Sequence, residues 1–121
     1  VVLCGDCVQT RDFVYVTDVV NALTQAATAA NINRQVINVG SGRETSISQL
    51  VNCIEETTGK TINHITNTEK SGGIQRLTGD ISLAKQLLSY KPQISIMAGL
   101  QKTILEDGRF KLPSAKTPST V

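Results

Sequence analysis

The residues from Gly5 to Val20 constrain the fold of this chain more than any other stretch. A glycine turn comes first, followed by a charged step over Gln9-Thr10-Arg11-Asp12. An apolar run of strand type over Phe13–Val16 and a Thr17-Asp18 helix start follow at once, so the stretch predicts loop, strand, then helix. Arg11 stands where the loop enters the strand. Its guanidinium is charged at any physiological pH and forks onto carboxylate or phosphate oxygens. A ligand-holding role requires that this group face an open groove rather than its own chain.

Beyond it the pattern alternates between helix and short strand. Val19, Val20, Leu23, Ala26, Ala27 and Ala30 recur at helical spacing, with Thr17 or Asp18 as cap and Asp18 favourable at the positive end of the helix dipole. Asn31-Ile32-Asn33-Arg34 breaks the helix, and Gln35–Val39 predicts a strand that delivers the chain into Gly40-Ser41-Gly42. That turn has the glycines of a phosphate cradle. A Ser46-x-x-Gln49 capping box just beyond it takes helix N-terminal donors, so a structural turn is the expectation.

An amphipathic helix over Ile47–Thr58 stops at Gly59, and Lys60–Thr66 alternates like an edge strand, with the lone His64 facing solvent. A polar loop over Asn67–Gly79 carries Lys70 and Arg76. Asp80 or Ser82 then starts a short helix that ends at Tyr90-Lys91-Pro92. Ser95 caps a last helix with Ile96, Met97, Leu100, Ile104 and Leu105 as its buried side and Gly108 as its stop. Residues 111–121 hold two prolines among small polar residues and are expected to form a disordered tail. The fold class is therefore α/β, a small mixed domain of short strands and about four helices over residues 1–110.

Composition excludes several alternatives. The chain has 121 residues, enough for one core. A net charge of +2 without a Lys/Arg run argues against nucleic-acid or membrane partners. No apolar window approaches the ~20 residues of a spanning helix, and Val1-Val2-Leu3 is too short for a signal-peptide core. Cys4 and Cys7 have Cys-x-x-Cys spacing but precede a strand, and only Cys53 and His64 remain to complete a metal site. Incidental thiols in a reducing, cytoplasmic setting are the expectation, with no metal bound.

Three motifs carry a resemblance. Gly5-Asp6-Cys7-Val8-Gln9-Thr10-Arg11-Asp12-Phe13-Val14-Tyr15-Val16, Val36-Ile37-Asn38-Val39-Gly40-Ser41-Gly42, and Asp80-Ile81-Ser82-Leu83-Ala84-Lys85 with Leu87-Leu88 and Tyr90-Lys91-Pro92 occur in one order. Together they resemble the C-terminal part of extended short-chain dehydrogenase/reductases, the NAD-dependent nucleotide-sugar epimerases and dehydratases related to UDP-glucose 4-epimerase. The resemblance implies the C-terminal subdomain of an extended Rossmann-type enzyme that holds a UDP- or dTDP-sugar. Arg11 and Lys70, with Arg76 as a further cation, would neutralise its diphosphate, and Phe13 and Asn38 would shape the site. Lys70-Ser71-Gly72-Gly73 stands where the family has Arg-Pro-Gly-Asp, so the bidentate fork and the carboxylate are lost and weaker nucleotide binding is expected.

A Gly-x-x-Gly-x-x-Gly fingerprint and a Tyr-x-x-x-Lys pair are both absent from the sequence. The expectation is a substrate-binding portion that lacks the cofactor-binding and catalytic half and is inactive alone, NAD being the cofactor of the full-length family. The alternative is a non-catalytic module that self-associates as a homodimer through apolar surface around Val14, Val16, Val36 and Val39.

Overall fold

The computed structural model describes residues 2–4, 7–67 and 73–110. Among the described residues there are four α-helices, α1 (Val16–Thr28), α2 (Ile47–Thr58), α3 (Ser82–Leu88) and α4 (Ile96–Glu106), and a 3-10 turn over Gly108–Phe110. Four short strands join them in two pairs. β1 (Val2–Cys4) runs parallel to β4 (Ile65–Asn67), with Val2 opposite Ile65. β2 (Thr10–Arg11) runs antiparallel to β3 (Thr45–Ser46), with Thr10 opposite Ser46 and Arg11 opposite Thr45. This is the expected α/β class. Among the described residues no helix is long and apolar enough to cross a membrane.

Capping fixes the helix ends that the sequence announces. Ser46 Oγ accepts from Gln49 N at 3.1 Å while Gln49 Oε1 accepts from Ser46 N at 2.9 Å, so both halves of the capping box are made. Gly59 closes α2 in the left-handed conformation at φ 66°. Ser95 Oγ accepts from Ala98 N at 3.2 Å at the start of α4. Ser46→Ala should lower stability by about 1 kcal/mol, read as a shifted urea midpoint at unchanged slope.

Several expectations are corrected. Phe13–Val16 is not a strand: the ladder stops at Arg11, Tyr15 is an extended N-cap without a side-chain bond, and Val16 is the first residue of α1. Thr17 and Asp18 therefore lie inside the first turn and do not cap it. Residues 35–39 join no ladder among the described residues, although Ile37 and Val39 pack on the core while Val36 is 88% exposed. The edge strand foreseen over Lys60–Thr66 begins only at Ile65. α3 has Ile81 at its N-cap, with Asp80 Oδ1 accepting from Ser82 N at 2.9 Å, and Ser89 stops it in the left-handed conformation. α4 ends at Glu106 with Asp107 as its cap, ahead of Gly108, and Leu105 is exposed. The foreseen tail, 111–121, lies outside the described residues.

α1 buries only part of its expected apolar set, Ala26 on the core and Val19 by half. The core consists of Ala22, Ile81, Ala84, Leu88 and Tyr90, with Ala26 and Ala29 packed against it. Val16, Val20 and Leu23 point outward, between 52% and 64% exposed. The buried ring of Tyr90 fills the space beside α1, so alanines meet it and the larger side chains occupy the other face.

Candidate functional site

The region built around β2 owes its shape to two carboxylates. Asp12 collects the turn expected to be structural: its Oδ1 accepts from Ser41 N at 2.8 Å and Ser41 Oγ at 2.5 Å, and its Oδ2 from Gly42 N at 3.0 Å and Gly79 N at 3.1 Å. Burial alone would raise the Asp12 pKa. The Ser41 hydroxyl and the Ser41, Gly79 and Gly42 N–H groups outweigh burial and hold it below the ordinary carboxylate value.

A Cβ at Gly40 would stand 2.7 Å from Asp12 Oδ2, and Gly42 sits at φ +67° with the space beyond it filled by Ile81. The Gly40-Ser41-Gly42 turn is therefore structural, but its donors go to Asp12 as well as to the expected capping box. Tyr90 fastens the same turn from inside, its hydroxyl donating to Gly40 O at 2.9 Å. Burial pushes the Tyr90 phenol upward, reinforced by Asp18 and Asp12.

Asp18 is 2% exposed and accepts from Gln93 N at 3.1 Å through each oxygen and from Ile94 N at 3.0 Å through Oδ2. It lies in the first turn of α1 as the dipole argument requires. Its larger task is to hold the segment that leads into α4. Neither carboxylate partnership was legible, because their partners stand 29 to 76 residues away.

The expected substrate residues are distributed around this frame. Arg11 Nη1 donates to Thr10 O at 2.7 Å and Ile74 O at 2.9 Å, and Nη2 to Gln9 Oε1 at 3.4 Å. The guanidinium is fastened to its own chain, which falls short of the open groove that a ligand-holding role requires; among the described residues its Nε–H and one Nη2–H make no bond. Its three acceptors are neutral, and among the described residues no carboxylate makes a salt bridge with it.

Arg76 differs. It donates through Nε and Nη2 to Glu44, the closest approach being 2.8 Å, and Thr10 Oγ1 donates to the same carboxylate at 3.2 Å. Arg76 and then Thr78, with a lesser share from Thr10, hold the Glu44 pKa below its ordinary value against the opposing effect of burial. Thr10 and Arg76 are bridged in parallel register. Neighbouring side chains alternate across a strand, so Arg76 and Glu44 lie on the Thr10 face and Arg11 with Gln9 on the other.

Phe13 lines a cleft with Arg43, Ser41, Pro92 and the start of α4, and also a neighbouring apolar cleft with Leu50, Gly99 and Leu100. Asn38 is exposed and opens on a different cleft, beside Asp12, Val14 and Thr78. Lys70 lies outside the described residues. The structure thus brings Arg11 and Arg76 onto one ladder but not onto one face, and sets Phe13 and Asn38 on separate clefts. His64 is exposed, its Nδ1 lying 3.4 Å from Ile62 O. Among the described residues no three His, Cys, Asp or Glu side chains converge as metal ligands.

Comparison with known proteins matches this architecture to one group. The family model described as GDP-mannose 4,6 dehydratase matches residues 1–103. A putative UDP-glucose 4-epimerase of Methanocaldococcus jannaschii is 34% identical over 103 residues, covering 85% of this chain and 32% of that protein. The UDP-glucuronate 4-epimerase of Thermodesulfobacterium geofontis is 34% identical over 83% of this chain and 31% of its own length. Among solved structures, UDP-glucose 4-epimerase from Thermotoga maritima with UDP-glucose superposes with a TM-score of 0.78 at 32% identity, covering 87% of this chain and 33% of that one. UDP-glucuronic acid 4-epimerase from Bacillus cereus, in complex with UDP-glucuronic acid and NAD, gives 0.75 at 33% identity over 83% of this chain and 32% of its own. The chain spans about a third of the length of the curated relatives it matches. Motif order, helix frame and these likenesses agree, and the chain belongs to the NAD-dependent nucleotide-sugar epimerase and dehydratase family of extended short-chain dehydrogenase/reductases.

Proposed function

We propose that residues 1–110 are the nucleotide-sugar-holding portion of an NAD-dependent epimerase or dehydratase, with the dinucleotide site and the acid/base tyrosine supplied from outside this sequence. The observation that carries this reading is the likeness of residues 1–103, in sequence and in fold, to enzymes whose structures hold a UDP-sugar. Arg11 is bonded to its own chain and so falls short of the open-groove requirement; its proposed part is limited to the Nε–H and the one Nη2–H that make no bond among the described residues, which are its means of meeting a diphosphate oxygen. Phe13 and Asn38 line separate clefts, and Lys70 follows β4 in the sequence. Relatives whose structures hold UDP-glucose or UDP-glucuronic acid support a UDP-sugar as the ligand, with a dTDP-sugar as the variant to compare.

Calorimetric titration of the folded chain with UDP and UDP-glucose tests this. Heat is expected for both, and Arg11→Gln should weaken binding about tenfold. No heat from a folded chain overturns the reading.

A second reading, self-association, is favoured by one feature. Val16, Val20 and Leu23 follow i, i+4, i+7 on α1 and are all exposed, and Val36 is exposed as well. Such a stripe favours burial against a second copy or the remainder of an enzyme. Of the valines expected to drive association, Val14 and Val39 are half-buried, so the dimer face would centre on Val16 and Val36. Light scattering at micromolar concentration should report a dimer, and a monomer would remove this reading.

A further inference from the structure

We infer that Glu44 and Arg76 form a clamp that positions Arg11, holding the 74–77 segment on β2 from the face opposite the guanidinium. This rests on Arg11 being the diphosphate cation. The anchor that Arg11 takes from farthest along the chain is Ile74 O, 63 residues away. That carbonyl is only as fixed as the segment carrying it. The backbone joins the segment to β2 through Thr10 N donating to Gln75 O at 2.9 Å and Leu77 N donating to Thr10 O at 3.2 Å. Ile74 and Leu77 on either side are 62% and 52% exposed, so little apolar packing supports those two bonds.

Glu44 supplies what packing does not. Its single carboxylate receives Thr10 from β2, Arg76 from the segment and Thr78 just beyond it, and it immediately precedes β3. The side-on fork of Arg76, through Nε and Nη2, fixes direction as well as distance. Arg76 is thereby a positioning residue, and its charge is already answered by Glu44. Without the carboxylate the segment lifts, Ile74 O leaves Nη1, and the guanidinium samples orientations that miss the ligand.

The sign of one substitution separates this from direct contact. Glu44→Gln should weaken UDP binding roughly three- to tenfold while the protein remains folded. Amide exchange at Thr10 and Leu77 should quicken while the amides of α2 and α4 stay protected. If Arg76 were itself the ligand's cation and Glu44 a competing anion, Glu44→Gln would bind UDP more tightly; equal or tighter binding overturns the clamp and leaves the Arg11 reading standing. Unchanged exchange at Thr10 and Leu77 overturns it whatever the affinity. Should the wild-type chain give no heat with UDP, the Arg11 reading fails and the exchange measurement alone decides whether Glu44 holds the segment.

Discussion

Asp18→Ala should destabilise the protein by about 3 kcal/mol, lowering its melting temperature by roughly 10–20 °C. The carboxylate is 2% exposed and is the acceptor for the Gln93 and Ile94 N–H groups. Removing it strips both donors of their partner at a site water reaches poorly, and it cuts the tie between the start of α1 and the entry to α4. Asp18→Asn keeps one acceptor oxygen and should cost less, about half as much. Urea unfolding at neutral pH measures both. A loss below about 1 kcal/mol for the alanine variant would mean that the 90–95 segment is held by other contacts.

Asp12→Ala comes next, at about 2–3 kcal/mol near neutral pH, because four donors from three residues converge on its two oxygens. Its effect should also depend on pH. The folded-state pKa lies below the ordinary value, so the unfolded chain takes up the proton first as pH falls. The stabilisation is complete above the ordinary aspartate pKa of about 4 and is lost as pH drops through the lower folded value. The gap between wild type and Asp12→Ala should therefore be constant from about pH 7 to 5 and narrow toward pH 3 and below. Urea midpoints across that range test it, and a constant gap down to pH 3 would remove the electrostatic account of the junction.

How far the fold was legible follows the range of each interaction. α2 and the start of α4 are written locally: Ser46, Gln49, Gly59 and Ser95 act within four residues of themselves, so their positions are visible in the string of letters. α1 was read only in part: Ala26 packs on the core and Val19 is half-buried, while Val20 and Leu23 are exposed. Hydropathy ranks Val20 and Leu23 above Ala22, but a tyrosine 68 positions later decides which side has room. The Phe13–Val16 run has strand composition and no ladder partner among the described residues, and helix α1 takes its last member.

The candidate site shows the same division. Arg11 was singled out because arginine beside Asp12 is a local pattern, although the strand expected after it does not form. Its separation from Arg76 was not visible, because that depends on which strand β2 pairs with and in what register. The glycine turn was foreseen as structural from its neighbouring capping box, while the aspartate that occupies its N–H groups lies 29 residues upstream.

The junction at Asp12 also bears on how the chain is made. Its carboxylate closes on residues 41, 42 and 79, and Tyr90 then seals Gly40 from below. A ribosome delivers these pieces in sequence, so the first half of the polypeptide emerges with Asp12, Ser41 and Gly42 but without Gly79 and Tyr90. Helix α2 can form as it is synthesised, whereas the core that gives the domain its cooperativity must await Ile81, Ala84, Leu88 and Tyr90.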